Sequence, residues 1–555
     1  MDSLLSDTLL LSLGDLAGLS PRELLLVNLI EKLYLRERVL EGENQFLRDE
    51  LMRLKGGNAK PEFEKTKNGG VLEGNWSSPV EQTGVGKRKR TGCVKGSKKN
   101  KEVSRIVIHD VVPDFLPSDA KKISSLKHYQ QELVVYRELV LHEIHRWYSK
   151  SEGKTYSSAP AGLISGGYGQ NLQTFIQLLH HCGDMTQAKI GELLGLYEIE
   201  ISCGTISDVV NRPYEWVKAE RAAILAAGIA SSPYTQSDST QSKESGVSQK
   251  THIFGSDFFS AFYSTNGKSR IDLLSALQDM PEGGIDLSFN VQSVALLEAS
   301  VVSDKHLPAI SEVFAQSPTV KLAEFDALLA QKDPILVEKP TVLKRIKECL
   351  ALGHYWTQTD YPVIQWLLTD NAPEYRCLAQ TAQALCWIHD ARNYNKLMPK
   401  LPMFQQILAD FLKEYWQLYQ KLLAFKNATQ EQQNLLKISI PQDFETLFTK
   451  KTAYEDLNQW INHTLAYQNQ LLAVLTNPAL PLHNNAAELA ARRIVRKRDI
   501  SLHTMSRKGT IVRDAFLTII QTAHKIRINA LKYIANANAN IQQISLAQHI
   551  NILYQ

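Results

Sequence analysis

Between Tyr361 and Leu368 the chain reads Tyr-Pro-Val-Ile-Gln-Trp-Leu-Leu, a nearly continuous apolar run that ends in Thr369-Asp370. A strand that is apolar on both faces must be covered on both faces, the situation of a strand inside an α/β sheet. Further strand signals begin around Pro233 and recur in Thr251 to Ser264 and in Asp286 to Val302, with Gln383 to Ile388 as a shorter candidate. A mixed α/β domain is the expectation. From Phe404 the period changes: Phe404, Leu408, Phe411, Tyr415, Leu418, Leu422 and Phe425 lie at helical spacing, as do Leu457, Ile461, Leu465, Leu472 and Leu475. An all-helical segment therefore interrupts the α/β domain, and its aromatic stripe reads as core because it repeats on one helical face.

At 555 residues the chain is too long for one core and predicts several domains. Leu26, Ile30, Leu33, Glu37, Leu40, Asn44, Leu47, Leu51 and Leu54 follow an unbroken 4-3 spacing, a coiled-coil seam whose Asn44 suits a parallel dimer. The competing reading is an amphipathic helix docked on its own chain. Gly56 to Lys101 is polar and Gly- and Lys-rich, a linker in which Lys87 to Arg90 and Lys98-Lys99 form either a phosphate-contacting arm or a solvated tether. Residues 120 to 232 read as mostly helical. Within them Met185 to Gly195 and Ile201 to Val210 have the cadence of a helix-turn-helix, the second helix capped by Ser202. That second helix would be the reader, with Thr205 and Ser207 as candidate DNA contacts.

Net charge is only +4, but basic residues cluster at 87 to 101 and 492 to 532, which points to a polyanion met by local patches. No pair of the six cysteines has Cys-x-x-Cys spacing, so a disulfide framework or zinc ribbon is not expected. Asp2 and Asp7 stand where a signal peptide needs positive charge, and no apolar run reaches the ~18 residues of a membrane span. The expectation is a cytoplasmic protein without membrane association.

Three carboxylates carry the chemistry: Asp238 in Gln-Ser-Asp-Ser-Thr, Asp370 after its buried strand, and Glu488 in His-Asn-Asn-Ala-Ala-Glu. Asp238 and Asp370 read as strand ends and Glu488 as helical. Hard divalent cations take oxygen ligands, and a pair of them can clamp both the attacking and the leaving oxygen of a phosphodiester. Asp257 competes with Asp238 for the first position. On a helix Asn484, Glu488 and Arg492 share one face, with Asn485 at i−3 from Glu488, and Ala486, Ala487, Ala490 and Ala491 let that helix lie close to a sheet. The plain alternative is an exposed Glu-to-Arg pair. Arg492, Arg493, Arg496, Lys497 and Arg498 follow at a density suited to phosphate oxygens, as do Arg507, Lys508 and Arg513 downstream. Cys386-Trp387-Ile388-His389 lacks further ligands at zinc spacing, so packing is the expectation, with His389 as a supporting group near Asp370.

Taken in order, these pieces resemble the DDE transposases of the insertion sequence 66 family. The match runs through the leucine-zipper start, the basic linker, Gly167-Tyr168-Gly169, Ile201-Ser202-x-Gly204-Thr205-Ile206-Ser207, Asp238-x-Thr240, Leu368-Thr369-Asp370, Cys386-Trp387-x-His389, Asn484-Asn485-x-Ala487-Glu488, Arg492, Arg496-Lys497, Ser506-x-x-Gly509 and Thr522-Ala523. This chain differs from the usual pattern at His483, Leu489 and Asp390 to Asn393, and it lacks a cysteine-rich segment ahead of the helical domain. The resemblance implies an α/β, ribonuclease H-like catalytic core, with Asp238 rather than Asp257 in a metal-binding triad completed by Asp370 and Glu488. It also implies two Mg²⁺ ions, with Mn²⁺ able to substitute and no zinc.

The implied organisation is a coiled coil over 1–54, a basic linker over 55–105 and a helical DNA-binding domain over 106–232. The catalytic core covers 233–392 and 481–555, split by a helical insertion over 393–480. The implied partners are double-stranded DNA with terminal inverted repeats, a second copy or more of the chain, and small accessory proteins of the same element. In a prokaryote the protein would be nucleoid-associated. The rival reading is a catalytically silent, transposase-derived DNA-binding or regulatory protein.

Overall fold

The computed structural model describes residues 20–54, 135–158 and 167–554, so the whole linker, including Lys87 to Arg90 and Lys98-Lys99, lies outside the described residues. Lys65–His142 forms a unit of its own, in which the described residues 135–142 have no regular secondary structure.

The centre of the larger unit is a five-stranded mixed sheet of β1 (Thr235–Glu244), β2 (Val247–Gly255), β3 (Ser260–Thr265), β4 (Trp366–Thr369) and β5 (Ala382–Leu385). In space the order is β3-β2-β1-β4-β5. β1, β2 and β3 are successive antiparallel neighbours, whereas β4 runs parallel to β1 and β5 parallel to β4. The β1–β2 hairpin closes at Ser245 and Gly246, both at positive φ (48° and 81°), the backbone that a two-residue turn needs to match strand twist. β3 is an edge strand, yet all six of its residues are buried. Its outward N–H groups on Ser260, Phe262 and Ser264 donate to Thr522 Oγ1 (3.2 Å), Thr518 Oγ1 (3.0 Å) and Asp514 Oδ2 (2.8 Å) of a neighbouring helix. Four helical residues rise about 6 Å and two strand residues about 6.8 Å, so a polar side chain every fourth position can follow alternate strand amides and cover the edge.

Several strand expectations contract. Of Tyr361 to Leu368, only the part from Trp366 pairs: Pro362 has no N–H to offer, and Ile364 N–H donates to the Tyr355 hydroxyl at 3.0 Å. In Asp286 to Val302 a three-residue strand, Asp286–Ser288, is followed by the helix Val291–Ala299. The Asn290 side chain and Ser293 form a reciprocal cap there, a start signal that overrides the β-branched content. The Gln383 to Ile388 candidate stops at Leu385 because Trp387 already begins a helix. Within the stretch read as mostly helical, Arg146–Ser149 and Lys154–Ser157 pair as an exposed antiparallel hairpin.

The first described helix, α1 (Pro21–Leu54), docks on the chain by the face opposite to Leu26, Leu33 and Leu40. Val27, Asn28 and Glu31 are buried, whereas Leu26, Leu33 and Leu40 are 55%, 59% and 47% exposed. Asn28 exchanges 3.0 Å hydrogen bonds with Ala453 O and Glu455 N–H, and Glu31 accepts the N–H groups of Lys400 and Leu401. Those amides precede a helix whose N-cap residue, Leu401, has no capping side chain, so Glu31 supplies the anion from a distant segment. Next, α2 (Gln170–His181), α3 (Gln187–Gly195) and α4 (Cys203–Asn211) share a core of Ile176, Ile190, Leu194, Ile206, Val209 and Val210. Thr186 and Ser202 cap α3 and α4, each accepting the N–H three residues on. Then α5 (Tyr214–Ser231) packs against the C-terminal helices.

After β5 the chain forms a helical bundle of α6 (Trp387–Asn395), α7 (Pro402–Lys426), α8 (Gln430–Phe448) and α9 (Glu455–Ala466). All seven residues of the Phe404 to Phe425 stripe are buried in its core, together with Trp387, Tyr394, Phe444 and Phe448. The chain then returns to the sheet as α10 (Asn485–Ser501) and α11 (Arg507–Lys525), the helix that covers β3.

One polar network sits inside this bundle. Asp390 Oδ1 accepts from Thr464 Oγ1 at 2.9 Å, and its Oδ2 lies 3.1 Å from the Tyr415 hydroxyl, which also donates to Trp387 O at 2.9 Å. Burial pushes the Asp390 carboxyl up to about 6 from its ordinary 3.8, against the pull of these hydrogen bonds. Between those values the folded state binds the extra proton, so this group's contribution to stability falls as pH rises from about 4 through about 6. Asp390→Asn is therefore expected to raise the melting temperature at pH 7, with an upper bound of about 3 kcal/mol, and to match the unsubstituted protein at pH 4. Thermal unfolding of both proteins across that range checks it; a variant less stable at pH 7 would contradict it.

Candidate active site

The β1–β4 register pairs Thr235 with Leu367 and Gln236 with Leu368. Carried two residues on, it sets Asp238 opposite Asp370. Asp370 follows β4 directly, at the carboxyl end of the strand, and its Oδ1 accepts the Ala372 N–H at 3.1 Å. Asp238 is not a strand end: it is the fourth residue of a ten-residue strand, because the hairpin with β2 keeps β1 paired as far as Glu244. β4 is the shorter partner.

Glu488 comes to this pair on α10. The helix is pinned at its start by Asn484, 1% exposed, whose Nδ2 donates to Ser237 O at 2.8 Å and whose backbone N–H points at Cys386 Sγ at 3.3 Å. Asn485 opens the helix and is half-buried. Ala487, Ala490 and Ala491 are buried, the latter two packing with Ile253 and Phe262 of the sheet. Small side chains on that face let Glu488 approach β1.

Glu488 does not pair with Arg492. Its Oε2 accepts from Arg392 Nη2 at 3.1 Å, while Arg392 Nη1 lies 2.9 Å from His389 Nε2. The other oxygen, Oε1, is enclosed with no hydrogen-bond partner, 3.7 Å from His389 Nδ1. Burial pushes the Asp238 carboxyl up to about 6, and the nearby charges of Asp370 and Glu488 push the same way; the Ser239 N–H at 2.7 Å and Arg392 oppose them. Burial lowers His389, with Glu488 and Asp370 pulling it back up, and raises the buried Tyr375 phenol, beside which Asp238 and Asp370 both lie. Tyr375 and Arg392 were not singled out in the sequence. Arg392 could have been found from its i+3 spacing to His389, whereas Tyr375 carries no local signal.

This donor set fits a hard divalent cation. The charges of Asp370 and Glu488 are near enough to help raise Asp238, and Glu488 has an orphaned oxygen; a cation drawn among them would relieve both conditions. By distance, the group among the described residues whose ligand atoms all lie within 4.8 Å of one another is Cys386, His389 and Glu488; Asp238 and Asp370 do not come that close to Glu488 as a set. At that trio burial pushes the thiol up to about 11 and Arg392 already contacts both other members, which disfavours a metal there.

The basic residues of α10 divide by direction. Arg492 and Arg496 reach solvent. Arg493 pairs with Asp184 at 3.4 Å and Arg498 donates to Gln241 O at 2.9 Å. Lys497 is 6% exposed, donates to His180 O and lies 3.8 Å from Asp184, so it faces the α2–α3 turn rather than solvent; burial pushes it down to about 8. On α4 Thr205 and Ser207 are half-buried, and the Thr205 hydroxyl is 2.9 Å from Ser202 Oγ.

An α/β protein whose sheet presents clustered acids beside a helical bundle and a three-helix module is the class these features define. Residues 360–511, from ahead of β4 to the start of α11, match the family model described as "Transposase IS66 family". The uncharacterized protein y4jO of Sinorhizobium fredii (strain NBRC 101917 / NGR234) is 27% identical over 317 residues, covering 56% of this chain and 94% of that protein. No solved structure matches the chain. No described helix is long and apolar enough to cross a membrane.

Proposed function

We propose that this chain is a metal-dependent DNA transposase with a ribonuclease H-like core, cutting and joining strands at the inverted-repeat ends of an insertion sequence. The observation that carries the reading is that Asp238 on β1 and Asp370 at the end of β4 sit on adjacent interior strands of a sheet ordered β3-β2-β1-β4-β5, with Glu488 close enough to act on Asp238, and that Asp370 and Glu488 fall in a stretch matching a transposase family. Asp238 and Asp370 would hold Mg²⁺ or Mn²⁺, with Glu488 Oε1 completing the set. The chemistry supplied by the bound ions is activation of an attacking hydroxyl and charge balance on the leaving oxygen.

The chain's own groups do the rest. Arg392 neutralises one oxygen of Glu488 and leaves the other free. Asn484 fixes the start of the Glu488 helix on β1. Arg492 and Arg496, four and eight residues beyond Glu488 and exposed, supply charge for the DNA backbone. Arg493, Lys497 and Arg498 tie that helix to its neighbours, which supports a positioning role for them. The α3–α4 pair would read DNA, and the leucine seam of α1, exposed at Leu26, Leu33 and Leu40, would bring two copies together. Labelled duplexes carrying the element's ends should be nicked in Mg²⁺ and left intact in a chelator. Salt-sensitive binding without nicking under any divalent cation would instead favour a silent DNA-binding protein.

A further inference from the structure

On the far side of the loop that follows Asp370 is a pocket of about 570 Å³, within the range of small-ligand sites. We infer that it receives an unpaired nucleobase of the DNA, next to the strand end that carries Asp370; this rests on the DNA-cleaving reading of that site. The loop divides its residues between two faces. Asp370 and Tyr375 belong to the carboxylate cluster, whereas Asn371 and Arg376 line the pocket.

The lining has the chemistry of a base site. Trp356 and Tyr467, both half-buried, offer aromatic surface, and base–aromatic stacking is indifferent to sequence. Asn371, Gln383 and Asn469 offer amides that can both donate to and accept from a base edge. No carboxylate lines the pocket, unlike the cluster beside it, so a nucleotide entering here meets no fixed anion. Arg376 is exposed at the rim with Nη2 3.1 Å from the Tyr467 hydroxyl, where its charge can meet the phosphate of the same nucleotide.

The walls are held in place before any ligand arrives. Gln383 Nε2 donates to Thr369 Oγ1 at 2.8 Å, tying the pocket to the residue before Asp370. Arg270 donates to Arg376 O (2.9 Å) and Pro373 O (3.2 Å) and pairs with Glu348 at 2.6 Å, which fixes the loop. Farther along the same bundle, Trp460, His463 and Tyr467 form a run of half-exposed rings with centroids 5.2 and 5.0 Å apart, a path along which neighbouring bases of one strand could stack. An intact duplex cannot place a base in such a pocket, so the occupant is an extruded or single-stranded base.

The test uses the full chain and a single-stranded oligonucleotide containing 5-iodo-deoxyuridine, with photocrosslinks mapped by mass spectrometry and affinity read by fluorescence anisotropy. Crosslinks are expected on Tyr467 or Trp356. Tyr467→Ala should weaken binding about tenfold, and Tyr467→Phe, which keeps the ring, by less than about twofold. Arg376→Gln, at an exposed position, should weaken binding severalfold and flatten its salt dependence. Crosslinks elsewhere, no crosslink at all, or unchanged affinity in both Tyr467→Ala and Arg376→Gln would overturn the inference. Asp370→Asn should crosslink as the unsubstituted protein does, so loss of base capture and loss of metal-dependent nicking are read separately.

Discussion

Replacing Asp238 with Asn is expected to abolish metal-dependent strand cleavage while leaving the fold at least as stable as before. The loss follows from the donor set. If Asp238 is one of the carboxylates that hold the cations, its removal forfeits several kcal/mol of stabilisation of the reacting oxygens, a fall of at least about 10³-fold in rate. The stability follows from the titration. The folded carboxyl sits at about 6 against an ordinary value of 3.8. Between those values the folded state binds more protons than the unfolded one, so the contribution of this group falls as pH rises through that window and stays low above it. An amide has no charge to desolvate, and its oxygen can still accept the Ser239 N–H. Nicking assays and thermal unfolding at pH 7.5 check both halves. An inactive variant that had also lost stability would show a structural part for Asp238; an active one would remove it from the triad.

Trp387→Ala should be the most destabilising single change in the helical bundle, by about 3–5 kcal/mol. The side chain is fully buried against Tyr415, Tyr419 and Phe444, with ring centroids 5.4, 6.4 and 6.1 Å away. Its indole N–H donates to Leu471 O at 2.8 Å and its backbone N–H to Leu482 O at 3.0 Å, so the substitution leaves both a cavity and an orphaned carbonyl. The consequence reaches the site because α6 begins at Trp387 and carries His389 and Arg392, the two residues against Glu488. Activity should fall along with stability, and Trp387→Phe, which keeps most of the volume, should recover much of both. Denaturant unfolding and nicking rates measured on the same preparations would show it. Loss of less than about 1 kcal/mol would mean the bundle closes over the gap.

Local pattern carried a good deal of this. The buried stripe from Phe404 to Phe425 was legible because a helix repeats its core face every three to four residues, and Ser202 was legible as a cap because capping is decided within one turn. Glu488 stood out for the same reason, with an amide before it and alanines around it on one helical face. Asp370 was legible through the strand before it, although Pro362 and the Ile364 contact shortened that strand. Asp238 was the least legible of the three: its flanks are polar, and its place opposite Asp370 depends on a parallel register between strands more than a hundred residues apart.

Local pattern in the chain settles the set of elements and their chemical kinds: helices by period and caps, an α/β sheet by its apolar run, acids and bases by their helical faces. Only the tertiary structure decided which of them meet. It set Arg392 rather than Arg492 on Glu488, turned Lys497 inward to His180 while Arg496 stayed outside, and docked α1 by Val27, Asn28 and Glu31 so that Leu26, Leu33 and Leu40 face solvent. The physical reason is range. Hydrophobic period and capping are settled within a turn or two, whereas an ion pair or a raised pKa depends on groups that folding brings from distant segments, and no local spacing records them.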